Sequence, residues 1–176
     1  KDMMVLKFDP NGNIIWAQQM GGNNDDGGNE VSVGPDDRIV VGAQSEGNFN
    51  AGSFNFINPG PQDDAYLISL TSAGAVEWVR SVQGPGLARA KSVFIDAAGN
   101  SYLGGDFAGP NAIITPTDTI PLNYVSLRDA YVSSWKPNGD LRWYKEWGGN
   151  GVELCKGIAT NAQQEVYLVG PFAETV

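Results

Sequence analysis

Three stretches of the sequence decide the fold: DMMVLKFDPNGNIIWAQQMGG at 2–22, DAYLISLTSAGAVEWVRSVQG at 64–84 and DAYVSSWKPNGDLRWYKEWGG at 129–149. They begin 62 and 65 residues apart. An Asp, a Gly and a Trp recur at matching positions: Asp2, Asp64 and Asp129; Gly12, Gly74 and Gly139; Trp16, Trp78 and Trp143. The chain is therefore three copies of one repeat. We divide it into repeats 2–63, 64–128 and 129–176, within a single domain 1–176.

Each repeat is predicted to form four short antiparallel strands. The segments MMVLKF, AYLISL and AYVSSW are apolar on both faces, which is typical of interior strands. The turns PNGN, SAG and PNGD follow them, and the next strand alternates apolar and polar residues, as an outer strand does. No segment has helical periodicity over 11 residues. The sequence therefore predicts an all-β protein.

Four antiparallel strands per repeat at this spacing predict a β-propeller blade. The pattern resembles the SBBP-type β-propeller repeats of secreted and surface proteins of bacteria and archaea. The matching residues are Asp64–Leu70, Gly74, Trp78, Gly84, Ile95–Asp96, Gly99–Asn100 and Tyr102–Gly105. The resemblance covers the chain three times and implies the fold and an extracellular or cell-surface location, but no activity. Gln164–Glu165 and Asp37–Arg38 replace the Gly–Asn of the pattern, so those two turns are expected to differ in geometry.

By analogy with tryptophan–aspartate repeat propellers, we label the strands A to D from the innermost outward. This analogy implies complete blades at 28–83 and 89–149, with half-blades at 2–20 and 153–172. A propeller ring needs at least about four blades. Either further repeats in a longer parent protein complete the ring, which we favour, or two chains pair their half-blades. The opening KDMMVLKFDP is neither a signal peptide nor a translation start, so a fragment is expected.

Composition argues against several classes of function. The net charge is −9 with 11 basic residues, which argues against a nucleic-acid partner. There is no His, which excludes Ser–His–Asp chemistry and His-ligated zinc. Cys155 lies in the apolar segment LCKGI and is expected to be buried. No apolar run is long enough for membrane insertion. We predict that the protein is not an enzyme.

Two connections between strands B and C are unusually long, at 44–63 and 107–128. They either fold over a blade edge and shield it, or form a surface that binds protein or glycan. Their aromatic residues are the candidate binding residues: Phe49, Phe54, Phe56 and Tyr124.

The loop GGNNDDGGNE contains Asp25, Asp26 and Glu30, whose oxygens are possible Ca²⁺ ligands, although a solvated turn is the preferred interpretation. The repeated residues are given structural roles. Asp2, Asp64 and Asp129 are expected to accept backbone N–H bonds where a strand begins. Trp16, Trp78 and Trp143 are expected to pack between blades.

The leading functional prediction is a non-catalytic extracellular or cell-envelope propeller module that acts as a protein-interaction scaffold. Its partner would be an envelope protein or the remaining repeats of the parent chain. One alternative is a carbohydrate-binding or carbohydrate-active propeller that uses loop Asp and aromatic residues. Another is a structural spacer or self-assembling subunit that associates through open strand edges.

Overall fold

The computed structural model describes residues 1–58, 60–110, 112–115 and 120–173. Nearly all regular structure in these ranges is β-strand, with one short 3-10 turn at Pro35–Asp37. The strands are β1 (Met3–Phe8), β2 (Ile14–Gly22), β3 (Asp26–Val33), β4 (Ile39–Ser45), β5 (Phe49–Ala51), β6 (Phe54–Phe56), β7 (Asp64–Leu70), β8 (Val76–Gln83), β9 (Ala88–Ile95), β10 (Ser101–Phe107), β11 (Ile113–Thr115), β12 (Ile120–Pro121), β13 (Asp129–Trp135), β14 (Leu141–Trp147), β15 (Gly157–Thr160) and β16 (Val166–Val169). No helix in the described ranges is long and apolar enough to cross a membrane.

Two complete four-stranded antiparallel arrays lie in the middle of the chain. Strands β3, β4, β7 and β8 pair in that order, as do β9, β10, β13 and β14. The pair β1–β2 precedes them and the pair β15–β16 follows. The predicted all-β fold of propeller blades, with two complete blades and two half-blades, is confirmed. The residue limits of the repeats and the single-domain assignment stay predictions.

The long B–C connections form short hairpins that add to the preceding sheet. The β5–β6 hairpin pairs with β2 through Gly21 and Asn50, and β11 pairs with β8 through Ile113 and Gln83. Each hairpin therefore covers the C-terminal end of the outer strand of the sheet before its own, which protects that part of the edge from unwanted pairing. Pro59, Asn111 and residues 116–119 of these connections lie outside the described residues.

The hydrophobic core lies between successive sheets. In β7, Tyr66, Ile68 and Leu70 pack in a cluster with residues of β1 and β2, whereas Ala65 and Leu67 pack in a cluster with residues of β9. Because successive residues of a strand point to opposite faces, this strand is buried on both sides. That double burial explains its uninterrupted apolar sequence.

A Trp from each of the first two sheets docks on the C–D turn of the next sheet. The indole Nε1 of Trp16 donates to the Ser72 carbonyl at 3.0 Å, and that of Trp78 donates to the Pro137 carbonyl at 3.0 Å. The rings lie against Gly74 and Gly139, so closely that an added Cβ would be 2.8 Å from Trp16 and 3.0 Å from Trp78. These two glycines thus provide both a positive φ and a surface for the Trp of the neighbouring sheet.

Replacing Gly74 by Ala tests this second role, with Gly12→Ala as the matched control. Both glycines have φ near +85°, but no atom lies within 4 Å of a Cβ placed on Gly12. Gly12→Ala should lower the free energy of unfolding by about 1 kcal/mol through backbone strain alone. Gly74→Ala should cost about 2–4 kcal/mol, because Trp16 must also move. Urea unfolding in dilute solution measures both, and equal losses would contradict the docking role.

The two turns that depart from the repeat pattern behave differently. Gln164 has φ 61°, and its N–H donates to the Asn161 carbonyl as that of Gly99 donates to the Asp96 carbonyl. In both turns the residue that accepts this bond also donates its own N–H to the carbonyl four residues further along the chain. The predicted change of geometry is therefore wrong at Gln164, which adopts the left-handed conformation of a glycine. In the first repeat, Asp36 and Asp37 both have positive φ and Arg38 N–H donates to the Pro35 carbonyl, so this turn does differ.

Candidate interaction surface and its polar support

The candidate aromatic residues of the first connection lie together, with their rings turned toward the core. Phe49 is buried and stacks on Tyr66, with ring centroids 4.4 Å apart, and Phe56 meets the same Tyr66 edge-on at 5.2 Å. Phe54 is half-buried against the same cluster. Tyr124 belongs to the second connection and packs against Phe107. The predicted binding residues thus hold the two connections on their sheets.

The three candidate Ca²⁺ ligands do not converge. Asp25 accepts a hydrogen bond from the N-terminal ammonium of Lys1 at 3.0 Å, which lowers the pKa of its carboxyl group. Asp26 accepts from Gly22 N–H at 2.7 Å, and Glu30 accepts from Val93 N–H at 2.7 Å. Within the part of the chain that the structure describes, no three acidic, His or Cys side chains are placed to hold a metal ion. Calcium binding at these residues stays a prediction without support from their arrangement.

The recurring Asp residues tie the end of each connection to the strand that follows. Asp64 accepts from Gly84 N–H at 3.3 Å and from Gln83 Nε2 at 3.1 Å. The same Gln83 amide donates to the Ile57 carbonyl at 3.4 Å. Asp129 accepts from Val125 N–H at 2.6 Å. In the first repeat Asp2 accepts from the Gln19 side chain.

These anchored ends display three aliphatic side chains to solvent. Ile57 is 80% exposed, and Val125 and Leu127 are also exposed. Ile57 lies on the first connection and Val125 and Leu127 on the second, and we refer to the three side chains together as the connection surface. Leu127 has φ 47°, a conformation that costs a residue with a Cβ atom roughly 1–2 kcal/mol. The chain holds this residue outward at an energetic cost, and such strain is concentrated at functional sites.

Contacts with several other parts of the chain fix the segment around Leu127. Asn123 donates from its backbone and its side chain to Glu146, at 3.1 and 2.6 Å. The guanidinium Nε of Arg128 lies 3.5 Å from the Asp106 carboxylate. The backbone carbonyl of Arg128 accepts a hydrogen bond from Glu153 N–H at 2.9 Å. Together with the bond from Val125 to Asp129, these contacts preorganise the second connection.

Two ion pairs of opposite polarity lie beneath the connections, one between successive sheets and one within a single sheet. Asp63 pairs with Arg89 at 2.8 Å and also accepts from Gln44 at 3.2 Å. In the next repeat the residue equivalent to Asp63 is Arg128, and it pairs with the fully buried Asp106 on the neighbouring strand β10 of the same sheet. Burial raises the pKa of Asp106, although the positive charges of Arg128, Lys91 and Arg89 act in the opposite direction.

Asp64 predicts a specific pH dependence of stability. Burial raises the pKa of the Asp64 carboxyl group to about 7. The hydrogen bonds that Gln83 and Gly84 donate to it act in the opposite direction. The unfolded chain ionises this carboxyl near pH 3.9, so between pH 4 and 7 the folded state binds more protons. The contribution of Asp64 to the unfolding free energy therefore falls as the pH rises through that window.

Asp64→Asn should remove this contribution while keeping an acceptor for Gly84 N–H. The difference in unfolding free energy between the parent and this variant should change steadily from pH 4 to 7.5, in favour of the variant at the higher pH. Asp64→Ala should cost about 1–3 kcal/mol, because buried donors lose their acceptor. A parent–variant difference that does not vary with pH would contradict the assignment.

Sequence reasoning missed the connection surface. Ile57, Val125 and Leu127 follow no periodic pattern, and the aromatic residues nearby are the more prominent feature of both connections. The available signal was positional: an isolated aliphatic residue a few positions before the recurring Asp in two repeats.

Comparisons with known proteins give a distant relationship. No family model matches the chain. It is 22% identical, over 189 aligned positions, to an uncharacterised WD repeat-containing protein of Acanthamoeba polyphaga mimivirus. The alignment includes 97% of this chain but 13% of that protein, so the chain spans a small part of its relative. The resemblance to SBBP repeats is not confirmed, whereas a distant relation to a WD repeat-containing protein agrees with the sheets described above.

Proposed function

We propose that this chain is a non-catalytic propeller module that binds a protein partner through the connection surface. The observation that carries the proposal is Leu127, an exposed aliphatic residue in a left-handed conformation on a segment anchored at both ends. The distant WD repeat-containing relative supports a propeller repeat protein as the framework. The extracellular or envelope location stays a prediction that rests on the repeat resemblance.

The chemistry of the surface fits an apolar pocket on a protein. Ile57, Val125 and Leu127 offer apolar area, and each is held next to a fixed backbone bond or strained turn. A preorganised loop loses little conformational entropy when it binds, so more of the contact energy appears as affinity. Binding a glycan by stacking would instead need exposed ring faces, whereas Phe49 is buried and the rings of Phe56 and Tyr124 are in contact with other aromatic rings.

The recurring carboxylates are engaged in structural bonds. Asp64 and Asp129 hold equivalent positions in two repeats, and each accepts a backbone N–H group, from Gly84 and from Val125 respectively. A residue that serves one reaction has no reason to recur in each repeat, so we infer structural rather than catalytic use. The absence of enzymatic activity stays part of the proposal.

A photo-crosslinking amino acid at position 57 or 125 tests the proposal. The full chain would be exposed to a protein extract of the organism that produces it, with the same amino acid at Ile14, which is also exposed, as control. We expect one protein to be crosslinked from 57 and 125 and not from 14, and to be competed away by unlabelled chain. Leu127→Gly, which relieves the strain and removes the side chain, should weaken capture. Equal capture from position 14, or none from 57 and 125, would contradict the proposal.

A further inference from the structure

An asparagine that is followed by glycine can lose its side-chain amide without an enzyme. The backbone nitrogen of the glycine attacks the side-chain carbon Cγ, a succinimide ring forms, and the amide group takes up the proton of that nitrogen and leaves as ammonia. Water then opens the ring at either carbonyl carbon, which gives aspartate or isoaspartate. Glycine favours the reaction because it has no Cβ atom to restrict the backbone. The chain contains three such pairs, Asn11–Gly12, Asn138–Gly139 and Asn150–Gly151.

The first two pairs lie in C–D turns that engage the attacking nitrogen. Gly12 N–H donates to the Asp9 carbonyl at 3.0 Å, and Gly139 N–H donates to the Lys136 carbonyl at 2.9 Å. Each turn would have to open before its glycine nitrogen could attack. Since one hydrogen bond changes an equilibrium by roughly five- to tenfold, both turns protect their asparagines.

Asn138 is protected at its side chain as well. Its Oδ1 accepts from Asp140 N–H at 3.1 Å, and its Nδ2 donates to the Asp140 carboxylate at 2.9 Å. Gly139 is buried, and the Trp78 ring lies against it. Both reacting groups of this pair are therefore held by other contacts.

The third pair lies outside the hairpin turns, in the segment between β14 and β15. Asn150 is exposed. In the part of the chain that the structure describes, neither its side chain nor the N–H of Gly151 has a hydrogen-bond partner. The attacking nitrogen and the carbon that it attacks are both free, and exposure gives water access to the ring.

The charge created by this reaction would arise next to a segment that contacts two buried carboxylates. Asp129 and Glu153 are 0% and 3% exposed. Glu153 accepts from Gly149 N–H at 3.2 Å. A Cβ placed on Gly148 would lie 2.5 Å from Oδ1 of Asp129. Both acids thus border the residues just before Asn150, and a further negative charge there would disfavour carboxylates that burial already destabilises.

The same segment anchors the second connection. Glu153 N–H donates to the Arg128 carbonyl at 2.9 Å, and Arg128 follows the strained Leu127. In isoaspartate the backbone continues through the side chain, which adds a methylene group to the main chain. At position 150 this extra length would fall between Gly149 and Glu153, and it would disturb the bond to Arg128.

We propose that Asn150 is a site of spontaneous deamidation, and that the isoaspartate formed there loosens the hydrogen bond between Glu153 and Arg128. The fold selects the site, since the same dipeptide occurs three times and the two turns hold the other copies. The rate at Asn150 should exceed that at Asn11 by roughly five- to tenfold, the effect of one hydrogen bond, and Asn138 should react most slowly.

Peptide mapping by mass spectrometry tests the selection. The full chain would be kept at mildly alkaline pH, digested and analysed for the replacement of NH2 by OH at the three asparagines. We expect Asn150 to react first in the folded chain, whereas all three should react at similar rates in concentrated urea. Asn150→Gln, whose longer side chain forms the ring far more slowly, should remove the early product and leave the slow reaction at Asn11. Equal rates in the folded chain, or faster reaction at Asn138, would overturn the proposal.

Hydrogen exchange tests the consequence. Chain that has aged to isoaspartate, detected with an isoaspartate-specific methyltransferase, should exchange the Glu153 amide about fivefold faster than fresh chain. Asn150→Asp adds the charge without the methylene and should accelerate this exchange less. No acceleration on ageing, or one no greater than in Asn150→Asp, would overturn the role given to isoaspartate. Photo-crosslinking from position 57 does not involve residue 150, so this proposal and the proposed function fail separately.

Discussion

Trp78→Ala is expected to lower the free energy of unfolding by about 3–5 kcal/mol, the range for removing a large buried aromatic side chain. Trp78 is 6% exposed and donates its indole N–H to the Pro137 carbonyl. The guanidinium of Arg80 lies 5.4 Å from its ring centroid. The substitution would therefore create a cavity between the two complete sheets and remove a bond that joins them. Urea unfolding followed by tryptophan fluorescence and by circular dichroism measures the loss.

Trp143→Ala is the matched control for this prediction. Trp143 holds the same position in its repeat, but it is half-buried and contacts no following turn in the described chain. In dilute solution its replacement should cost about 1–2 kcal/mol, since less apolar area is lost from the fold. Equal losses for Trp78→Ala and Trp143→Ala would show that docking on the next turn contributes little to stability.

Arg128→Ala is expected to cost about 3–5 kcal/mol at neutral pH, the range for removing one member of a buried ion pair. Its partner Asp106 has no exposed surface, and neither of its oxygens has a hydrogen-bond partner among the described residues. The remaining carboxylate would be buried without its nearest counter-charge. Burial already raises the pKa of Asp106, so its protonation should reduce the loss as the pH falls from 7.5 toward 5. Denaturant titrations at both pH values measure this.

Two further variants control the experiment. Asp106→Asn in the Arg128→Ala background should restore part of the lost stability, because the amide carries no charge. Lys136→Ala removes a member of an exposed pair, Lys136–Asp140 at 4.0 Å, and should change stability by less than about 0.5 kcal/mol. If Arg128→Ala costs as little as Lys136→Ala, the ion pair between Arg128 and Asp106 does not stabilise the sheet.

The repeated landmarks made most of the strand framework predictable. Asp64, Gly74 and Trp78 mark a strand start, a turn and an outer strand. The local burial pattern or backbone conformation explains why each of these residue types stands at its position. The partner of the β5–β6 hairpin was not predictable in the same way. Its three-residue strands are too short for a periodic signal, and they pair with a strand of the preceding sheet.

The candidate site was less predictable than the fold. Phe49 and Phe56 stand in a polar Asn- and Gly-rich segment, which suggested exposure, but β5 and β6 place their rings on Tyr66. Asp25 and Asp26 are adjacent in sequence, yet in an extended segment their side chains point to different partners. The exposure of Leu127 depends on tertiary contacts of Asn123 and Arg128 with β14 and β10, which a repeat pattern does not encode.

The addition of each hairpin to the preceding sheet bears on synthesis of the chain at the ribosome. Ile113, which pairs with Gln83 on the outer edge of β8, lies 30 positions further along the chain. A nascent sheet therefore keeps this part of its edge unprotected until the first two strands of the following sheet and the hairpin after them have emerged. Shortened versions of this protein should accordingly end after a hairpin, since a cut at a sheet boundary would leave the last outer strand open to aggregation.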